Sequence, residues 1–166
     1  MSKVKFAIVG FGHIGKRHAA MVEGHKEAEV VAVADIDASK LNMLSGIAPN
    51  AKGYSSIEDL LAETDADVVN ICTPNGWHAE QALLGLGAKK HVVIEKPMGL
   101  DRQSCEKVIF KALQVSKNAF IVKQNRYSPT SAWLRELIDQ NRLGEIYMVQ
   151  LNCYWNRDER YYKKGG

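Results

Sequence analysis

The sequence predicts an α/β fold, a doubly wound parallel sheet, followed by the start of a truncated α+β second domain. Three observations carry this. Short, nearly continuous apolar runs, the mark of strands covered on both faces, alternate with amphipathic helical segments. Such alternation requires crossover connections, which are right-handed and give parallel pairing. Near Tyr127-Ser128-Pro129 the pattern changes to a period-2 alternation, the mark of a sheet with one covered face.

The strand candidates are 4–9, 29–34, 68–72, 91–95 and 119–123, with a weaker one at 51–54. Helices are expected at 13–23, 37–45, 56–63, 76–87 and 101–117. In the fourth, Ala79, Ala82, Leu83 and Leu86 recur at helical spacing; in the fifth, Cys105, Val108, Ile109 and Ala112 do so behind Asp101 as N-cap. Beyond Pro129 a helix over 130–140 is expected to bury Trp133, Leu134, Leu137 and Ile138, with Gly144 as its terminator. A strand over 145–155 then points Tyr147, Val149, Leu151, Cys153 and Trp155 one way and Gln150 and Asn152 the other. A single such strand has no sheet to join, so the expectation is a chain cut just after entering a second domain.

Composition narrows the function classes. The 166 residues are 46% hydrophobic and 25% charged, with a net charge of +3. Basic and acidic residues are interspersed, so neither nucleic acid nor a membrane surface is an expected partner. Arg157, Arg160, Lys163 and Lys164 read as a solvated segment. Cys72, Cys105 and Cys153 are odd in number, far apart and without a CxxC pair, which suggests reduced thiols in a cytoplasmic protein and no metal site. The first apolar run is too short for a signal peptide, and no window is long enough to span a bilayer.

The strongest local signal is Gly10-Phe11-Gly12-His13-Ile14-Gly15. It follows a strand, opens a helix, and is followed by Asp35 at the end of the second strand, which together make a dinucleotide-binding, or Rossmann, fingerprint. Gly10 permits the turn, Gly12 lets the backbone approach a pyrophosphate, and Gly15 lets helix and strand pack closely. The helix N-terminus presents free N–H groups and its positive dipole to phosphate. A carboxylate at Asp35 accepts from ribose hydroxyls and repels a 2′-phosphate, favouring NAD over NADP; no Arg follows it closely. Asp37 is better placed to cap the next helix.

Two clusters at strand ends complete the set. Cys72-Thr73-Pro74-Asn75 closes the fourth strand, where ligands of open α/β sheets sit. Asn75 can cap the helix from 76 and touch a cofactor as well; His78 reads equally as facing the site or as a helix-surface residue. Glu95-Lys96-Pro97 closes the fifth strand. A Lys-Pro peptide there can be cis, and a lysine at the mouth of a nucleotide site can hydrogen-bond a substrate hydroxyl and exchange its proton.

In order, GxGxxG with His18 three residues on, Asp35, Thr-Pro-Asn-x-x-His and Gly-x-x-x-His-Val-x-x-Glu-Lys-Pro resemble the glucose–fructose oxidoreductase/inositol dehydrogenase/MocA family over residues 3–123. The resemblance implies a Rossmann domain over 1–124, and over 125–166 the beginning of a substrate and oligomerisation domain built on an open antiparallel sheet. It implies Lys96 as the active-site lysine and Glu95 as orienting the turn. Gly10, Phe11, Gly12, His13, Ile14, Gly15, Asp35, Thr73, Pro74, Asn75, His78, Glu95, Lys96 and Gln124 would line the NAD site, with Asn125 and Arg126 beside Gln124. Family members carry a catalytic histidine in the second domain, past the region spanned here. Trp155-x-Arg157 followed by Tyr161-Tyr162 looks like relatives that oxidise C3 of UDP-N-acetyl-aminosugar uronates. The expected activity is therefore hydride transfer between NAD and a secondary alcohol carbon of a sugar, cyclitol or nucleotide sugar, by a homo-oligomer when full-length. The alternative is a non-catalytic NAD-binding, redox-sensing module, which has no need of Lys96. A dihydrodipicolinate-reductase-like enzyme is disfavoured by the Thr73-Pro74-Asn75 and Glu95-Lys96-Pro97 pair.

Overall fold

The computed structural model describes residues 2–159. The chain divides into two compact units, one ending at Val122 and the other beginning at Lys123.

The first unit holds a six-stranded, all-parallel sheet of β1 (Val4–Val9), β2 (Ala28–Ala34), β3 (Lys52–Tyr54), β4 (Val68–Ile71), β5 (His91–Ile94) and β6 (Ala119–Ile121). Their order is β3-β2-β1-β4-β5-β6. That order reverses between β1 and β4, which opens a crevice at the carboxyl ends of those two strands. The crossovers are α1 (His13–Glu23), α2 (Ala38–Leu41), α3 (Leu44–Ile47), α4 (Ile57–Glu63), α5 (His78–Gly87) and α6 (Arg102–Gln114).

The apolar runs become the core because each strand feeds both sides of the sheet. Ala7 and Val9 join one cluster with Val69, Ile71, Leu86, Val92, Ile94 and Val108, while Ile8 joins another with Phe11, Ala19, Val30 and Val33. Each fully buried Ile or Leu contributes roughly 1.5–3 kcal/mol over its exposed state. α5 can lie on the sheet because Gly85 has no side chain; a Cβ there would stand 2.9 Å from Val92 Cγ1.

Some expected elements differ. The helix expected at 37–45 is broken into α2 and α3; Asp37 caps α2 as expected, accepting from Ser39 N–H at 3.0 Å. In α6, Cys105, Val108 and Ala112 are buried or half-buried, but Ile109 is half-exposed, because it lies at the edge of the covered stripe. The helix from 76 is a 3-10 turn over Asn75–Trp77 followed by α5, and no side chain caps either. Asn75 is therefore not the cap.

In the second unit, a 3-10 turn over Gln124–Tyr127 leads into α7 (Pro129–Asp139). The signals that make α7 are local: Ser128 accepts from Ser131 N–H, Pro129 occupies the first turn, and Arg135 pairs with Asp139 one turn on. The expected burial does not follow, since Trp133, Leu134 and Ile138 are exposed and Leu137 is only half-buried. The strand expected over 145–155 does not form: these residues have no regular structure, and Tyr147 is 95% exposed. A strand is made by a neighbour that pairs with its N–H and C=O groups, and period-2 alternation cannot supply one. Tyr161 and Tyr162 lie outside the described residues. Among the described residues no helix is long and apolar enough to cross a membrane.

Candidate dinucleotide and active site

The glycine loop connects β1 to α1 over the strand-order reversal. Gly10 has φ of +89°, and a Cβ on it would lie 2.9 Å from the carbonyl of Cys72 at the end of β4. A Cβ on Gly15 would stand 1.9 Å from the Gly10 carbonyl oxygen, so only glycine lets α1 start this close to its own strand. Gly12 is the opposite case, because a Cβ there would meet nothing within 4 Å. That space belongs to no protein atom and lies beside the N-terminus of α1, which no side chain caps. The first amides of a helix have no intrahelical acceptor, so a phosphate fits both the room and the donors. His13 and Ile14, on that first turn, are exposed; the Phe11 side chain is fully buried, leaving only its backbone at the loop surface.

Asp35 stands at the end of β2, as expected, but it is already partnered. Its Oδ2 accepts from Phe11 N–H at 2.7 Å and its Oδ1 from Asp37 N–H at 2.9 Å. The Lys40 ammonium, projecting from α2, lies 3.1 and 3.2 Å from the two oxygens. The carboxylate thus fixes the glycine loop and carries a compensating cation. Lys40 was not among the expected site residues. Its signal was the five-residue spacing from Asp35 through a capped helical turn.

At the end of β4, Thr73 donates its hydroxyl proton to Gln81 Oε1 at 2.6 Å, while Pro74 and Asn75 are exposed. His78 is 1% exposed and lies under the loops instead of lining an open site. Its Nδ1 is 2.6 Å from the Pro97 carbonyl oxygen and its Nε2 is 2.7 Å from that of Thr73. Carbonyl oxygens only accept, so each contact needs a ring N–H, and both form together only on a doubly protonated ring. His78 is buried because the first turn of α5 packs directly onto the ends of β4 and β5, which helical spacing alone does not reveal.

The Lys96-Pro97 peptide is cis, and Lys96 is exposed just past β5. Behind it runs a hydrogen-bonded chain. Glu95 Oε2 accepts from Lys96 N–H at 3.3 Å, and Glu95 Oε1 lies 3.0 Å from His18 Nε2. Asn70 Nδ2 lies 3.2 Å from His18 Nδ1. Asn70 is 3% exposed, and its Oδ1 is a buried acceptor without a protein partner. Desolvating such a group is costly, so an amide inside the apolar strand Val-Val-Asn-Ile is itself a sequence signal for a buried polar network. Burial, and next to it the Glu95 carboxylate, push the Cys72 thiol far above its ordinary range, so it is no nucleophile. Gln124 belongs to the second unit, where it is exposed in the 3-10 turn. Among the described residues no cluster of His, Cys, Asp and Glu could hold a metal ion.

A glycine cradle at a Rossmann switch point, a carboxylate closing β2 and a lysine turn closing β5 define a dinucleotide-binding Rossmann domain. Residues 4–123 match the model of the oxidoreductase family with an NAD-binding Rossmann fold, the glucose–fructose oxidoreductase/inositol dehydrogenase/MocA family, and the chain belongs to that family. It is 34% identical over 151 residues to inositol 2-dehydrogenase of Rhizobium meliloti, covering 89% of this chain and 44% of that protein. It is 30% identical over 149 residues to D-glucoside 3-dehydrogenase of Escherichia coli, covering 89% and 42%. Among solved structures, the WlbA dehydrogenase of Chromobacterium violaceum in complex with NADH and UDP-GlcNAcA superposes with a TM-score of 0.94 at 37% identity, covering 100% of this chain and 48% of that one. Scyllo-inositol dehydrogenase of Lactobacillus casei, with bound NAD(H) and scyllo-inositol, gives 0.82 at 27% identity, covering 87% and 43%. The chain spans about half the length of the relatives it matches.

Proposed function

We propose that this chain is the NAD-holding part of a dehydrogenase that moves a hydride to or from a secondary alcohol carbon of a sugar, cyclitol or nucleotide sugar. The observation that carries the reading is the placement of Glu95-Lys96-Pro97 at the carboxyl end of β5, the strand beside the switch-point strand β4. NAD, when bound, supplies the hydride acceptor or donor. The chain's own residues bind, orient and move a proton. Gly10, Gly12, Gly15 and the uncapped start of α1 hold the pyrophosphate, with Phe11, His13 and Ile14 contributing through the backbone of the loop and first turn. Asp35 takes the adenine-ribose hydroxyls. Thr73, Pro74 and Asn75 stand toward the nicotinamide half, while His78 and Glu95 shape that wall from beneath. Lys96 hydrogen-bonds the reacting hydroxyl and exchanges its proton.

Of the three substrate classes, a nucleotide sugar has the best support. The two WlbA dehydrogenases, each in complex with NADH and UDP-GlcNAcA, are matched over 100% and 98% of this chain, the scyllo-inositol enzyme over 87%. The full-length protein is read as a homo-oligomer, and a cytoplasmic setting fits three free cysteines.

The test is Lys96→Met in the full-length protein, assayed with NAD and UDP-GlcNAcA. Turnover is expected to fall on the order of 10²-fold or more while NAD affinity changes far less. Normal turnover in the mutant returns Lys96 to an ordinary surface lysine. An unmutated full-length protein that binds NAD but turns over neither UDP-GlcNAcA, inositol nor glucosides is the redox-sensing module instead.

A further inference from the structure

Lys96 is exposed, yet the residues on either side of it are held from within the fold. On one side Glu95 is reached by His18 of α1, with Glu95 14% and His18 17% exposed at the side chain. On the other side the Pro97 carbonyl is reached by His78 of α5 at 2.6 Å, and the same ring reaches Thr73 at the end of β4. Two imidazoles from two different helices therefore bracket one lysine. We propose that His18 and His78 are positioning residues that clamp the Glu95-Lys96-Pro97 turn, and that Asn70 sets the tautomer by which His18 does so.

The chemistry of each contact supports the assignment. The Asn70 amide group donates to His18 Nδ1, which must then carry a lone pair, so the ring proton resides on Nε2. From Nε2 it is donated to Glu95 Oε1 at 3.0 Å, leaving Glu95 Oε2 to accept the Lys96 N–H. A carboxylate held at both oxygens cannot swing, and the backbone of the next residue is tied to it. His78 works on the following residue by donating from Nδ1 to the Pro97 carbonyl at 2.6 Å. Each imidazole aims a ring nitrogen at a fixed backbone or carboxylate oxygen. A buried ring nitrogen without a partner is costly; His18 has a partner on each nitrogen and His78 has the Pro97 carbonyl. An active-site lysine gains from this because its stem starts from a backbone with one position instead of several.

The proposal concerns the same lysine as the hydride-transfer reading, and its test is read without substrate or turnover. In the ¹⁵N-labelled 166-residue chain, imidazole nitrogen shifts are expected to show His18 protonated on Nε2 and accepting on Nδ1. The backbone order parameter of Lys96 is expected near the rigid value of about 0.85. Two pairs of variants then separate positioning from packing. His18→Phe and His78→Phe keep the ring volume and lose the donor; in each, the Lys96 order parameter should fall below about 0.6. His18→Gln and His78→Asn lose the ring and keep an N–H toward Glu95 or Pro97; each should stay close to the unmutated value. The reverse order, with rigid Phe variants and mobile amide variants, overturns the clamp and leaves the two rings as filler. Should the Phe variants not fold, the unmutated chain still decides, since a proton on His18 Nδ1 or a mobile Lys96 overturns the proposal. Normal turnover of full-length Lys96→Met would sink the catalytic reading and leave the clamp standing.

Discussion

The two units of this chain use the same kinds of sequence signal and obtain different results. Before Val122, apolar runs and helical stripes find partners: Ile8, Ile71, Leu86 and Ile94 are fully buried. After Lys123, Trp133, Leu134, Tyr147 and Leu151 are as apolar and stay exposed. α7 forms nonetheless, because its capping and its one-turn ion pair lie within its own residues. The alternating segment over 145–155 does not form a strand, because a strand is completed by another strand. Helices can be local and sheets cannot, and the two units show the difference side by side.

The comparison is broken most severely at Gly15. Gly15→Ala places a Cβ 1.9 Å from the Gly10 carbonyl, so α1 must move off β1. A stability loss above about 3 kcal/mol is expected, with NAD binding lost alongside, checked by chemical denaturation. A mutant as stable as the parent would show that α1 is not locked onto the sheet. Gly12→Val comes next and sharpens the point. No protein atom lies within 4 Å of that Cβ, so far-UV circular dichroism should be unchanged while NAD binding disappears in a calorimetric titration. Retained binding would mean that the open space is not the pyrophosphate path.

A smaller effect is expected from removing everything after Tyr127. The fingerprint and the whole sheet precede that point, so NAD affinity should change less than about threefold, under ~1 kcal/mol. A large loss would mean that the second unit completes the nucleotide site, with Gln124 to Arg126 the first residues to examine. Smallest is Lys40→Met. With the ammonium gone, Asp35 is uncompensated and repels a 2′-phosphate more strongly. NADP affinity should fall by up to about tenfold, the lysine end of the pair being partly exposed and screened, while NAD changes little. An unchanged ratio of the two affinities would remove Lys40 from cofactor choice.

Much of the first unit was legible because its signals are periodic or positional. Gly10, Gly12 and Gly15 sit where a strand gives way to a helix, and Asp35, Thr73 and Lys96 close strands that apolar runs mark out. The sequence by itself determined the strand and helix order, the glycine turn, the Asp37 and Asp101 caps and the family. All of these depend on residues near one another along the chain. Only the tertiary structure decided that Lys40 compensates Asp35, that Asn70, His18 and Glu95 form one chain, and that His78 is buried instead of lining the site. Those contacts join α2 to the end of β2, α1 to the ends of β4 and β5, and α5 to two loops at once. Each depends on how far one element packs across another, a distance set by side-chain volumes on both sides, and periodicity along one segment carries no record of it.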